Sequence, residues 1–69
     1  MKVTIVIYKD EDEIVDCIIG SKAKAMRVMV KTFIRDGLTD VFDGSYTIAM
    51  VKKEIAETFK FVEIEARRS

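Results

Sequence analysis

The chain has a single cysteine, Cys17, and no histidine among its 69 residues. One thiol cannot close an intrachain disulfide, and the common structural zinc sites require several Cys or His ligands. A chain of this length lies near the lower limit at which one hydrophobic core is sufficient, so small domains often gain stability from disulfides, metals or a partner subunit. We therefore expect a single domain over residues 1–69 that has no cofactor or metal and forms a homodimer.

Hydrophobic periodicity predicts three strands and two helices. Alternation of apolar and polar residues indicates the strands, and apolar residues three and four positions apart indicate the helices. Ser21 and Ser45 are suited to cap the two helices, and Gly37 is suited to end the first one. Residues 46–51 also have a composition typical of strands, but the apolar spacing favours a helix there. The predicted elements, in chain order, are strands over 2–8 and 13–19, helices over 21–36 and 45–59, and a strand over 60–68.

This element order predicts an α+β fold. It is a two-layer β-β-α-α-β sandwich in which two helices cover one face of a three-stranded sheet. The first strand carries the least charge, so we expect it at the centre of the sheet, with the other two strands at the edges. If each element reverses the direction of the one before it, the last strand runs parallel to the first.

Two helices cannot cover both faces of this sheet, so one face is expected to be open. Strand alternation assigns Val3, Ile5 and Ile7 to the helix side, together with Cys17 as a small buried hydrophobic residue. The side chains assigned to the open face are Val6, Tyr8, Ile14, Ile18 and Phe61. Exposed together, they would form a larger apolar patch than a soluble monomer normally has, so we expect them to form the dimer interface. The alternatives are a shifted strand register or cover by the connection at 38–42.

A second candidate surface lies on the predicted first helix. At about 100° per residue, four cations fall on one arc roughly 80° wide. We call this set the basic arc, and it consists of Lys24, Arg27, Lys31 and Arg35. Long cations on one helix face can bind phosphates or an acidic protein surface, or simply keep the helix solvated. No aromatic residue lies among them to stack on bases, and the chain is neutral overall, with 12 basic and 12 acidic residues.

The sequence lacks the residues of the common catalytic sites. Without histidine, neither a Ser-His-Asp nor a Cys-His arrangement can form. Asp36, Asp40 and Asp43 are close in sequence, but they lack the spacing of a calcium loop and are typical of helix ends and turns. We therefore expect no enzymatic activity and no small-molecule substrate.

These features predict a small non-enzymatic interaction protein that self-associates through its open sheet face and binds a macromolecular partner, most simply a protein. The alternative is a nucleic-acid-binding regulatory protein that uses the basic face of helix 21–36. A third hypothesis is a DNA mimic whose acidic hairpin, residues 9–13, occupies the basic site of a partner. A lone thiol, no export signal and no long apolar run predict a cytoplasmic protein without membrane association.

Overall fold

The computed structural model describes residues 1–67 and has the predicted α+β architecture, with two helices packed on one face of an antiparallel three-stranded sheet. Position 68 of the predicted last strand lies outside the described residues. The elements, in chain order, are β1 (Lys2–Tyr8), β2 (Glu13–Ile19), α1 (Lys22–Arg35), a 3-10 helix (Leu38–Phe42), α2 (Ile48–Thr58) and β3 (Phe59–Glu65).

The strand order is β2-β1-β3, so β1 is the central strand, as predicted. The predicted direction of the last strand is wrong, because β3 is antiparallel to β1. That prediction assumed that each helix runs the length of the sheet. Instead, α1 begins at the sheet end where the Gly20 amide donates to the Lys2 carbonyl oxygen at 2.8 Å. α2 ends at the opposite sheet end, where the Lys9 amide donates to the Thr58 carbonyl oxygen at 3.0 Å. Since β3 begins there, it runs back against β1.

The helix pair therefore extends beyond the strands. Seven residues of strand span about 23 Å, whereas the molecule measures 47 × 23 × 17 Å. α2 reaches the core through Val51 and Ile55, which are fully buried, while Ile48 in its first turn is 49 % exposed. The predicted apolar stripe of this helix is thus only partly buried.

The helix ends show which capping predictions hold. The Ser21 hydroxyl accepts a hydrogen bond from the amide three residues later at 3.3 Å, so this cap is confirmed. Gly37 has a φ of 74°, the left-handed conformation predicted for the end of α1. The predicted Ser45 cap is wrong, because the Thr47 hydroxyl accepts the corresponding bond at 3.2 Å. Thr47 is extended and the helix begins at Ile48, which resolves the choice between strand and helix at 46–51.

The core lies between the two helices and one face of the sheet. On α1 the side chain of Ala25 is fully buried, whereas that of Ile34 is 36 % exposed. Each large aliphatic side chain buried here stabilises the fold by about 1.5–3 kcal/mol. The buried hydrophobic residues of the core are Val6, Ile18, Ala25, Met29, Val30, Phe33, Val51 and Ile55.

Candidate interaction surfaces

The two faces of the sheet are the reverse of those predicted. Val6 is 0 % and Ile18 8 % exposed, and both belong to the core cluster with the helices. Phe61 is the cross-strand partner of Val6 and packs against the same core. Tyr8 lies on this face too, and its ring meets that of Phe59 edge-on at 5.8 Å. The prediction that Val6, Tyr8, Ile18 and Phe61 line the open face is therefore wrong.

The prediction failed because both faces of β1 carry large apolar side chains, so alternation alone cannot decide which of them meets the helices. Strict alternation in β2 puts Val15 and Ile19 on the same side as Cys17, so the prediction placed this wholly apolar side against the helices and Asp16 on the open face. In the structure Asp16 is the partner of Val6 and lies on the helix side. Its position in an edge strand leaves the carboxylate exposed, and it accepts a hydrogen bond from the Cys17 amide at 2.8 Å.

A β-bulge in β2 changes the face of one predicted interface residue. Between the partners of Val6 and Ile7, β2 has one extra residue, Val15. An extra residue shifts the alternation, so Ile14 and Ile18 point to opposite faces although they are four residues apart. Ile14 is thus the one predicted interface residue that lies on the open face.

The open sheet face consists of three cross-strand rows, each with one residue from β2, β1 and β3. All positions are aliphatic or a thiol except Lys60, which lies at a corner. Ile14 is 63 %, Ile19 61 % and Ile64 43 % exposed. Cys17 is exposed as well, so its predicted burial is wrong for the same reason as the inverted faces. The rows are Ile19–Val3–Ile64, Cys17–Ile5–Val62 and Ile14–Ile7–Lys60.

The outer edge of β2 is less suited to contact than this face. The bulge at Val15 interrupts its row of free backbone groups, which opposes pairing with another strand. Hydrogen-bonded pairs alternate along an antiparallel ladder. Gly20 and Lys2 form a hydrogen-bonded pair. Three residues earlier, Cys17 is therefore at a non-hydrogen-bonded position, and its backbone amide points away from β1. The Asp16 carboxylate accepts a hydrogen bond from this amide. The face of the sheet, rather than this edge, is the surface open to another molecule.

The molecule exposes a large surface for its length. Its accessible surface area is 5076 Å², whereas roughly 4,400 Å² is typical of a monomer of this size. The elongated shape and the uncovered sheet face both contribute to the excess. A second molecule on that face would remove apolar surface from water.

The basic arc lies on the side of α1 opposite the core. Its centre is about 180° around the helix from the middle of the buried face, which consists of Ala25, Met29, Val30 and Phe33. Its four cations are all exposed, and α1 itself contains no acidic residue. Arg35 forms an ion pair with Asp36 at 3.2 Å, whereas the other three have no ion pair within residues 1–67. The arc therefore carries uncompensated positive charge.

The connection between the helices forms a third surface, which the sequence did not predict. The late start of α2 leaves most of the apolar side chains of the connection in solvent. Phe42 packs against the core, and its ring lies 6.0 Å from that of Tyr46. We call the exposed side chains here the connection patch, and they are Leu38, Val41, Tyr46, Ile48 and Met50.

The aspartates of the connection have the helix-end roles predicted for them. Asp36 is the C-cap of α1, and Asp43 ends the 3-10 helix with a φ of 50°. Residues 1–67 contain no cavity and no group of three Cys, Asp or Glu side chains placed to hold a metal ion. Within the same residues, the helices are too short and too polar to cross a lipid bilayer.

Comparisons of the chain with protein-family models, curated proteins and solved structures found no match.

Proposed function

We propose that this protein is a small non-enzymatic interaction protein that pairs with a second copy through the open sheet face and binds an acidic macromolecular partner through the basic arc. One observation carries the proposal: all positions but Lys60 in the three open rows are aliphatic or a thiol. An uncovered sheet face of this composition is unusual in a soluble monomer.

A second copy is the occupant that suits this face. Two flat aliphatic faces pack against each other about 10 Å apart, with their side chains interdigitated. A twofold axis uses the same surface on both subunits, so a face without charges at its centre is complementary to itself. Lys60 lies at the corner, where its ammonium group stays in water.

The dimensions of the face set the expected strength of association. Three strands of seven residues present about 14 Å by 23 Å, which is small beside the roughly 800 Å² per partner of a typical stable interface. Burial of the exposed isoleucines provides the main favourable term. We therefore expect a dimer that dissociates in the micromolar range.

A dimer of this kind leaves both basic arcs accessible. The arc points away from the sheet, so two copies joined by their sheets carry their arcs on opposite outer surfaces. A partner with repeated acidic sites would then bind with increased avidity. The three cations without ion pairs support an acidic protein surface as the partner.

A nucleic acid is the alternative partner, and the spacing of the arc supports it. Lys24 and Arg35 are separated by about 16 Å along the helix axis, enough to follow several phosphates of a duplex. In that case binding weakens steeply with salt, and replacing one arc cation by alanine lowers the salt slope by about one unit. No retention on DNA or RNA at low ionic strength would contradict this alternative and leave self-association standing.

Light scattering over a dilution series tests the self-association. We expect wild type to change from dimer to monomer on dilution, and Ile19→Lys to remain monomeric throughout. Ile48→Lys is the matched control, because it makes the same substitution at a similarly exposed site in the connection patch. Circular dichroism must show that both variants are folded. Dissociation by Ile48→Lys and not by Ile19→Lys would place the interface at the connection patch and overturn the proposal, as would a monomeric wild type at millimolar concentration.

A further inference from the structure

The charges at the two ends of the sheet determine how two copies would be oriented, an inference that rests on the proposed sheet-face dimer. The open face is longer than it is wide, so two faces overlap fully only when their strands are aligned. Two aligned twofold arrangements exist. An axis along β1 keeps the strands of both copies parallel and brings both β1–β2 turns to the same end. An axis across β1 makes the strands antiparallel and places the turns at opposite ends.

The turn end of the sheet is acidic. Four acidic residues and two lysines lie at the end of the sheet where the β1–β2 turn is. One of the lysines is Lys9, whose ammonium group already donates a hydrogen bond to the Ala56 carbonyl oxygen at 2.7 Å. Asp10 accepts a hydrogen bond from the Tyr8 hydroxyl at 3.5 Å, while the other three carboxylates have no hydrogen bond or ion pair within residues 1–67. The acids are Asp10, Glu11, Asp12 and Glu13, all exposed, and the lysines are Lys9 and Lys60.

The opposite end of the sheet carries more positive than negative charge. The N-terminal amine contacts the Glu65 carboxylate at 3.0 Å, and the Lys2 ammonium contacts Glu63 at 3.8 Å. Lys22 adds a third cation there, and its backbone amide donates to Glu63 at 3.0 Å. Arg67, which follows β3 at this end, is exposed as well. The side-chain cations Lys2, Lys22 and Arg67 outnumber the acids Glu63 and Glu65, so this end is positive.

From this charge distribution we infer that the two copies pack with antiparallel strands, with the twofold axis crossing β1 at Ile5. This orientation places the acidic turn of each copy near the positive end of the other. The parallel arrangement would instead bring eight carboxylates together at one end, four from each copy. Like charges that face each other across an interface disfavour that arrangement, and such repulsion fixes the orientation in which two surfaces pair. In the inferred dimer the middle rows face each other, and Ile5 lies opposite Ile5 of the second copy.

Spin labels at the turn distinguish the two orientations. The labelled protein is Glu11→Cys in a Cys17→Ala background, first shown by light scattering to associate as wild type does. β1 ends at Tyr8, about 10 Å along the strand direction from Ile5, and residue 11 lies in the turn, roughly 5 Å further. We therefore expect a label-to-label distance of about 30–35 Å in the antiparallel dimer and about 10–15 Å in the parallel one.

A mixed sample gives the complementary distance. Protein labelled at Glu11→Cys is combined with protein labelled at Ala23→Cys, an exposed and uncharged site next to Lys22, each in the same background. The antiparallel dimer predicts a shorter distance between these two labels than the parallel dimer does. A turn-to-turn distance of about 10–15 Å, or about 20–25 Å for strands that cross at right angles, would overturn the inferred orientation and leave the self-association intact. A monomeric mass with no label-to-label distance would overturn the proposed function itself, and this inference with it.

Discussion

Both faces of the sheet carry large apolar side chains, yet they differ in shape and in what covers them. The helix side carries the aromatic rings of β3 and a fully buried polar residue, Thr4, whose hydroxyl donates to the Gly20 carbonyl oxygen at 3.0 Å. The open side has only short aliphatic side chains and a thiol in its rows, apart from Lys60. The helix side is thus uneven and complementary in shape to the two helices. The open side is level and aliphatic, a surface against which a second sheet can pack.

Adjacent isoleucines in β2 give the largest expected contrast between the two faces. Ile18 is 8 % and Ile19 61 % exposed, and they point to opposite faces. Replacing Ile18 by Asp buries an unpaired carboxylate, and we expect a loss of more than about 3 kcal/mol in the free energy of unfolding. Ile19→Asp should cost less than about 1 kcal/mol at concentrations where wild type is monomeric.

Urea unfolding followed by circular dichroism measures both variants. The two variants are well matched, because each replaces an isoleucine of β2 by aspartate. The change in intrinsic β propensity is therefore equal in both and does not contribute to the difference between them. Equal losses for the two variants would show that the open face is covered within the monomer. That result would contradict the distinction between the faces.

The buried hydroxyl of Thr4 provides a smaller contrast. Thr4→Val keeps the shape of the side chain but removes the hydrogen bond to Gly20, and we expect a loss of about 1 kcal/mol. Cys17→Ser makes a comparable change on the open face and should cost less than about 0.5 kcal/mol, since Cys17 is exposed. Thermal unfolding of both variants at low protein concentration provides the comparison. A larger loss for Cys17→Ser than for Thr4→Val would contradict the assignment of the faces.

The basic arc should show the smallest effect on stability and a clear effect on binding. Its three cations without ion pairs are exposed, so the triple variant Lys24→Gln, Arg27→Gln, Lys31→Gln should change the free energy of unfolding by less than about 1 kcal/mol. The same variant should lose the acidic partners that wild type captures from a cell extract. A matched control replaces Lys52 and Lys53 by Gln on α2, where both are exposed. If triple variant and wild type retain the same partners, the arc is only a solvated helix face.

The sequence was sufficient to predict the element order, the central position of β1 and the presence of an uncovered apolar face. These features follow from periodicity, from the low charge of residues 2–8 and from the number of helices. Ser21 and Gly37 were also predictable, because capping depends on residues close in sequence.

The identity of the open face was not predictable from the same patterns. Either set of β1 residues could line a core, so the choice depends on how α1 leaves β2, which is a property of the whole chain. The bulge at Val15 then moved Ile14 to the face opposite Ile18, and strict alternation cannot detect an extra residue. The direction of β3 depended on where α2 ends relative to the sheet, which the length of a helix does not determine.

Nuclear Overhauser contacts between copies test the central claim most directly. A sample that mixes isotope-labelled and unlabelled protein at millimolar concentration reports only methyl groups that touch the second copy. We predict contacts from the methyl groups of Ile5, Ile7 and Ile19 on the open face, and none from Ile18 or Ile55 in the core. Intermolecular contacts confined to the connection patch, or the absence of any at this concentration, would contradict the claim that the open sheet face binds a second copy.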